Sequence, residues 1–215
     1  MIDSRIAAVM NLITGSRVAD VGADHGYLSI ELARSGRVEK IIATEKNIKP
    51  FEALRKNILT SGFDGVIDVR LGDGLKILSA GEVDTICIAG IGGALIAKIL
   101  DDSPEVVNSA RQLILQPMNA VEKIRTWLAE NDWTIDDEDL AEASGIIYEI
   151  ISAVKVVKLP KIFKRENSPL LKKFLRQRCE KLQRVLDEMS KSSVARTSEK
   201  FSALQAEIER LKNLS

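Results

Sequence analysis

Five places in this sequence set polar or glycine residues at the ends of apolar runs, where a ligand could be handled. The densest is Asp20-Val21-Gly22-Ala23-Asp24-His25-Gly26-Tyr27. Gly22 lets the backbone turn and approach a ligand closely, and Gly26 can take positive φ. A helix beginning near Tyr27 would offer free N–H groups at its N-terminus. The glycine spacing selects the ligand. A dinucleotide fingerprint keeps a second glycine two places after the first, which makes room for a pyrophosphate. Here that place holds Asp24, whose carboxylate would repel one. The pattern suits a cationic ligand without phosphate, and S-adenosylmethionine, with its ammonium and sulfonium charges, fits. The plainer alternative makes Asp24 a helix cap and Gly22 a turn.

The other places extend this reading. Glu45 ends the apolar run Lys40–Thr44, about 20 residues past the glycine loop, where an acid accepts hydrogen bonds from ribose hydroxyls. Asp73, between Gly72 and Gly74, is placed to accept from an adenine amino group, with a backbone N–H reading a ring nitrogen. An ordinary Asp-Gly turn is the alternative. Ala89-Gly90-Ile91-Gly92-Gly93 has three glycines in four positions and reads as the floor of a methyl-transfer site, or else as close helix–sheet packing. Gln116 and Asn119 carry amides suited to a base edge at the mouth. His25, the single histidine, and Tyr27 are expected to line the cofactor pocket; a structural hydrogen bond is the alternative for His25. Asp24, His25, Tyr27, Gly90, Gly92, Gln116 and Asn119 are thus candidates around the transferred methyl group. Asp20, Gly22, His25, Tyr27, Glu45, Asp73, Gly74, Ala89 and Gly90 are candidates for the cofactor. No residues form a nucleophile–base pair or a metal-ligand cluster.

These residues need strands to end beside one another. Apolar, β-branched runs over 17–21, 40–44, 66–71, 82–89 and 111–116 alternate with amphipathic stretches, the pattern of a parallel sheet covered on both faces. Residues 133–140 and 145–157 follow in direct succession and read as an edge hairpin. The expected fold class is α/β, a Rossmann-like, seven-stranded sheet. An amphipathic helix over 1–14 precedes it, lacking the basic start and cleavage site of a secretory signal. Pro50 is expected to open a helix that Gly62 stops.

The 215 residues, 45% hydrophobic, allow one ordinary domain and an appendage. No apolar run is long enough to span a bilayer. Cys87 and Cys179 read as reduced thiols of a cytoplasmic protein. The zero net charge hides a division. Residues 1–154 carry 15 Lys+Arg against 24 Asp+Glu; residues 155–215 carry 16 against 7. Lys158-Leu159-Pro160 marks the expected boundary, giving domains 1–158 and 159–215. Beyond it, Leu175, Cys179, Leu182, Leu186 and Met189, then Val194, Thr197, Phe201, Leu204, Ile208 and Leu211, form two heptad-like seams. They predict an antiparallel helical hairpin. Lys172, Lys173, Arg176, Lys181 and Arg184 surround the first seam and suit a polyanion, or simply a solvated helical pair.

Together these motifs resemble the bacterial tRNA (adenine-22-N1)-methyltransferases. Asp20–Tyr27 resembles their D-V-G-[ST]-D-H-[AG]-Y loop, and Ala89–Gly93 their A-G-M-G-G loop. Leu113–Pro117 and Tyr148-Glu149-Ile150 are similar to their L-I-L-Q-P and Y-E-I segments, and the N-terminal helix with Arg5 is also similar. The chain departs from the pattern at Met118, where the family often has asparagine, and at Lys49, where it usually has glycine before proline. The resemblance implies a class I methyltransferase domain that uses S-adenosylmethionine, yields S-adenosylhomocysteine and methylates N1 of adenine-22 in tRNA. It makes Arg5 and the hairpin cations RNA-binding candidates. The expected partner is tRNA, without membrane or metal, and the expected state is a monomer. A methyltransferase of small molecules or proteins, or a non-catalytic S-adenosylmethionine- or RNA-binding module, are the alternatives.

Overall fold

The structure, a computed structural model, describes residues 3–155, 169–191 and 198–212. The chain divides into two compact units, Met1–Val156 and Val157–Ser215.

The first unit runs α1 (Ser4–Leu12), β1 (Arg17–Val21), α2 (Tyr27–Arg34), β2 (Lys40–Glu45), α3 (Ile48–Ser61), β3 (Ile67–Leu71), β4 (Thr85–Ile91), α4 (Gly93–Asp101), α5 (Pro104–Ser109), β5 (Gln112–Pro117), α6 (Val121–Glu130), β6 (Trp133–Ala143) and β7 (Ile146–Lys155). The seven strands form one sheet in the order β3-β2-β1-β4-β5-β7-β6. β1 to β5 are mutually parallel, and β7 is antiparallel to both β5 and β6. This is the Rossmann-like, class I methyltransferase arrangement expected from the alternation of apolar strands and amphipathic helices.

The unbroken apolar character of the central strands follows from burial on both faces. On one face Ala19, Val21, Ile86, Ile88, Leu113 and Leu115 pack against Ile96, Leu100, Ile124 and Leu128 from α4 and α6. On the other, Val18, Ile41, Ala43, Cys87 and Ile114 pack against Val9, Leu12, Leu28, Leu32, Leu54 and Ile58 from α1, α2 and α3. The buried amide of Gln112 ties the ends together. Its Oε1 accepts from the Thr14 N–H at 3.0 Å, and its Nε2 donates to the Leu12 carbonyl at 2.8 Å and Ser152 Oγ at 3.0 Å. The first helix is thereby fastened to β5 and β7.

Several boundaries differ from the sequence reading. β4 continues through Gly90 to Ile91, with a register shift between Ala89 and Ile91 against β5, so the glycine run is partly strand. α3 begins at Ile48, two residues before Pro50. The short α5 was not anticipated; Pro104 at its start supplies the signal. β6 and β7 join through Ser144 and Gly145, both at positive φ, which suits a two-residue hairpin turn.

In the second unit, α7 (Pro169–Ser190) and α8 (Glu199–Lys212) pack on each other through Leu182, Leu186, Ile208 and Leu211, flanked by Cys179, Phe201 and Leu204. The Cys179 thiol donates to the Ile208 carbonyl at 3.5 Å. The expected boundary at Lys158–Pro160, the seam positions Val194 and Thr197, and the side chain of Leu175 lie outside the described residues.

Candidate active site

The carboxyl ends of β1, β2, β4 and β5 open together on a cavity of about 660 Å³, a size suited to a small-molecule ligand. Its walls gather Asp20, Gly22, Asp24, His25, Tyr27, Glu45, Asp73, Gly74, Ala89, Gly90, Gln116 and Arg5. Residues far apart in sequence meet here because the strand order reverses direction on either side of β1, leaving a crevice beside its end.

The loop after β1 is held by its neighbours. The N–H groups of Gly22 and Ala23 both donate to the Thr44 carbonyl, at 2.9 and 3.0 Å. Asn57 on α3 donates to the His25 carbonyl at 3.0 Å. Gly22 has φ +74°, and a Cβ there would meet open space, so conformation is what requires glycine. Gly26 has φ +76°, and a Cβ would fall 2.6 Å from Leu54 Cδ1, so both conformation and the fit against α3 require it. Between them Asp24 also takes positive φ, and it stands exposed rather than capping α2, whose N-cap is Gly26.

Asp20 lies beneath this loop, only 4% exposed. Burial pushes its carboxyl up to about 6, although the Ser29 hydroxyl donates to it at 2.6 Å. Glu45 is also buried, its Oε1 accepting from the Asn47 N–H at 2.9 Å. Asp73 is half-exposed and paired with the Lys46 and Lys76 ammonium groups, each at 3.0 Å, which hold its carboxyl below the usual range. His25 and Tyr27, with side chains largely open to solvent, lean toward each other with ring centroids 5.7 Å apart.

The far end of the cavity is built differently. Gly90 (φ +78°) has open space where a Cβ would be, and its N–H donates to Gln116 Oε1 at 3.0 Å. Gln116 is buried, and its Nε2 donates to the Pro117 carbonyl at 3.1 Å. Its amide therefore braces the β4 and β5 ends before it reads anything. Gly92 and Gly93 are absent from the cavity wall. A Cβ on Gly93 would lie 2.4 Å from the Ala120 carbonyl oxygen, and one on Gly92 would lie 3.0 Å from Asn119 Oδ1. Close packing of α4 against the 118–120 turn explains that pair, and Asn119 stands outside the wall with them.

Among the residues the sequence reading did not single out, Lys46, Asn47, Ile6, Val9, Leu95 and Ile99 line the cavity. Lys46 was signalled only by its place after Glu45; the apolar ones look like any core residue. Arg5 does reach the wall. Arg176, Lys181 and Arg184 are exposed on α7, while the side chains of Lys172 and Lys173 lie outside the described residues. Among the described residues no group of His, Cys, Asp or Glu could hold a metal ion, and no helix is long and apolar enough to cross a membrane.

The donor set fits S-adenosylmethionine. Two buried acids, Asp20 and Glu45, and two more open ones, Asp24 and Asp73, ring the cavity, and Gly22 and Gly90 leave open space at its floor. Acids without a phosphate cradle match a cationic nucleoside.

Known proteins resemble this chain over most of its length. A family model described as a methyltransferase domain matches residues 2–151. The tRNA (adenine(22)-N(1))-methyltransferase of Bacillus subtilis (strain 168) is 37% identical over 153 residues, 71% of this chain; the matched region spans 64% of that relative's length. A crystal structure of a candidate tRNA (m1A22) methyltransferase from Streptococcus pneumoniae is 31% identical with TM-score 0.70, covering 100% of this chain and 99% of that one. A second structure of that protein, in complex with S-adenosyl-L-methionine, has TM-score 0.69 and the same coverage. The structure of B. subtilis TrmK, an m1A22 tRNA methyltransferase, is 28% identical with TM-score 0.69, covering 100% of this chain and 98% of that one.

Proposed function

From a chain that belongs to the methyltransferase-domain family, and within it to the tRNA (adenine-22-N1)-methyltransferases, we propose an enzyme that methylates N1 of adenine-22 in tRNA with S-adenosylmethionine as donor. The observation that carries this reading is the acid-lined cavity at the ends of β1, β2 and β4. The bound donor would supply an electrophilic methyl group on a sulfonium centre.

The chain's own residues bind and orient. Glu45 is placed to accept from the ribose hydroxyls, as an acid at the end of a second strand does. Asp73, kept ionised by Lys46 and Lys76, is an acceptor for the adenine amino group. Asp20, under the loop, faces the cationic end with a buried carboxylate. Gly22 and Gly90 leave room for the donor, and Gln116 fixes the Gly90 N–H. Adenine N1 has a lone pair that forms the new N–C bond directly, while the sulfur keeps the pair of the broken bond. The chemistry asks for alignment rather than a strong base, and alignment of two bound reactants supplies roughly 7–11 kcal/mol. N1 lies on the Watson–Crick edge, so the adenine must leave any pair it makes. Asp24, exposed at the mouth, is placed to offset the positive charge that methylation leaves on the base.

The second unit would grip tRNA phosphates through Arg176, Lys181, Arg184 and their basic neighbours in sequence. We expect the protein to act as a monomer in the cytoplasm, where its substrate is. The test is direct. Unmodified tRNA incubated with the protein and S-adenosylmethionine should gain 1-methyladenosine at position 22, mapped by reverse-transcription stops. Methylation of another nucleotide corrects the target; no transfer to tRNA, with cofactor binding intact, favours a small-molecule or protein substrate.

A further inference from the structure

Arg5 is held by three parts of the chain at once: Asp3 before α1, Tyr148 in β7 and Met118 after β5. Asp3 grips it on one edge: Nε donates to Oδ1 at 3.1 Å and Nη2 to Oδ2 at 2.9 Å. Its Cζ lies over the Tyr148 ring, 5.4 Å from the centroid and within cation–π range. Nη1 points to the Met118 sulfur at 3.7 Å. The capping of α1 does not account for this, since Asp3 caps the helix through the Arg5 backbone N–H. Tyr148 is only 8% exposed. The Arg5 side chain is 31% exposed, and Arg5 forms part of the cavity wall.

Its position along the sheet gives the clamp a purpose. The candidate nucleoside acceptors Glu45 and Asp73 stand at the end of β2 and just past β3, and the open glycines Gly22 and Gly90 stand just past β1 and near the end of β4. Continuing in the same direction, the next strands are β5 and β7, which carry Met118 just past the end of one and Tyr148 in the other. Arg5 therefore stands beyond the methyl end, where the acceptor base has to enter. A planar guanidinium backed by an aromatic ring is a surface on which an unstacked base can lie. Met118 stands directly after Gln116-Pro117, where the tRNA (adenine-22-N1)-methyltransferases often have asparagine. Its thioether instead buffers both Arg5 and Gln116, whose Nε2 lies 3.9 Å away.

We propose that Arg5 is the platform on which the flipped adenine stacks, positioned by Asp3, Tyr148 and Met118, so that the base is oriented by its plane rather than by an amide on its edge. This rests on the proposed methyl transfer to tRNA adenine. The side chain acts on the acceptor alone and does not hold the donor.

Steady-state kinetics with unmodified tRNA, alongside calorimetric binding of S-adenosylmethionine, tests it. Arg5→Ala should raise KM for tRNA or lower kcat/KM by about tenfold or more, the size of one base-stacking interaction, with donor affinity unchanged. Arg5→Lys, which keeps the charge but loses the plane, should not rescue. Tyr148→Phe should retain activity and Tyr148→Leu should lose it in parallel with Arg5→Ala. A tRNA carrying 2-aminopurine at position 22 gives a readout without turnover: its emission should change on binding wild type and not on binding Arg5→Ala. Rescue by Arg5→Lys, or equal loss of donor affinity in Arg5→Ala, overturns the platform. If the wild type is active and Arg5→Ala matches it, the platform alone falls; if the wild type transfers no methyl to tRNA, the functional reading falls and takes the platform with it.

Discussion

Asp20 shows how a site residue can work against the stability of its own fold. Burial raises its pKa to about 6, well above the value near 3.8 of an exposed aspartate. The sign follows from linkage: the group adds stability below its unfolded pKa, and that contribution is lost as pH rises through about 6. At pH 7 the ionised form costs about 3 kcal/mol, from roughly 1.4 kcal/mol per pKa unit. The ligand-free protein should thus melt lower at pH 7 than at pH 5 on this account, and Asp20→Asn should flatten that dependence in differential scanning fluorimetry. A cationic ligand favours the ionised carboxylate, so donor affinity should climb between pH 5 and 7 in the wild type and not in Asp20→Asn. An unchanged melting profile in the variant would remove Asp20 from this role. The sequence marked Asp20, Glu45 and Asp73 because acids after apolar strands are conspicuous. It could not show that Lys46 crosses to Asp73, or that Arg5 meets Tyr148, because such pairings depend on which strands become neighbours.

At the scale of elements, the strands were legible since burial on both faces leaves an unbroken apolar run, and the helices since one face stays polar. What escaped was local exchange between elements. The run Gly90–Gly93 looked like one glycine-rich floor but divides in two: Gly90 belongs to the end of β4 and the cavity, while Gly92 and Gly93 admit the turn at 118–120 against the start of α4. The Gly93 N–H also donates to the Asn119 carbonyl at 3.0 Å. Gly93→Ala should therefore lower stability by about 1–3 kcal/mol through overpacking against backbone, with donor affinity retained. Gly92→Ala, which meets only the movable Asn119 side chain, should cost less. Chemical denaturation with parallel cofactor titration separates the outcomes; loss of cofactor affinity without loss of stability would return the pair to the site.

Over the whole molecule, two units of opposite charge share one chain, eight negative over residues 1–156 and eight positive over 157–215. If the second unit grips phosphates, Arg176→Glu combined with Arg184→Glu should weaken tRNA binding and flatten its dependence on salt, by about 0.9 in log–log slope for each phosphate that is no longer neutralised. Donor affinity should not move. Filter binding between low and physiological salt measures both, and an unaltered slope would leave these arginines as solvated surface. The joint between α1 and the edge hairpin also has a consequence in time. Ser4 donates to the carbonyl of Glu142, 138 residues further along. On a ribosome adding about 5–20 residues per second, the landing place for α1 arrives on the order of ten seconds after the helix itself. Asp20 through Gly90 emerge well within that delay, Tyr148 only at its close. If Arg5 and Tyr148 seat the nucleobase, a nascent chain completes the ends of β1 to β4 first and that seat later, and the basic second unit follows both.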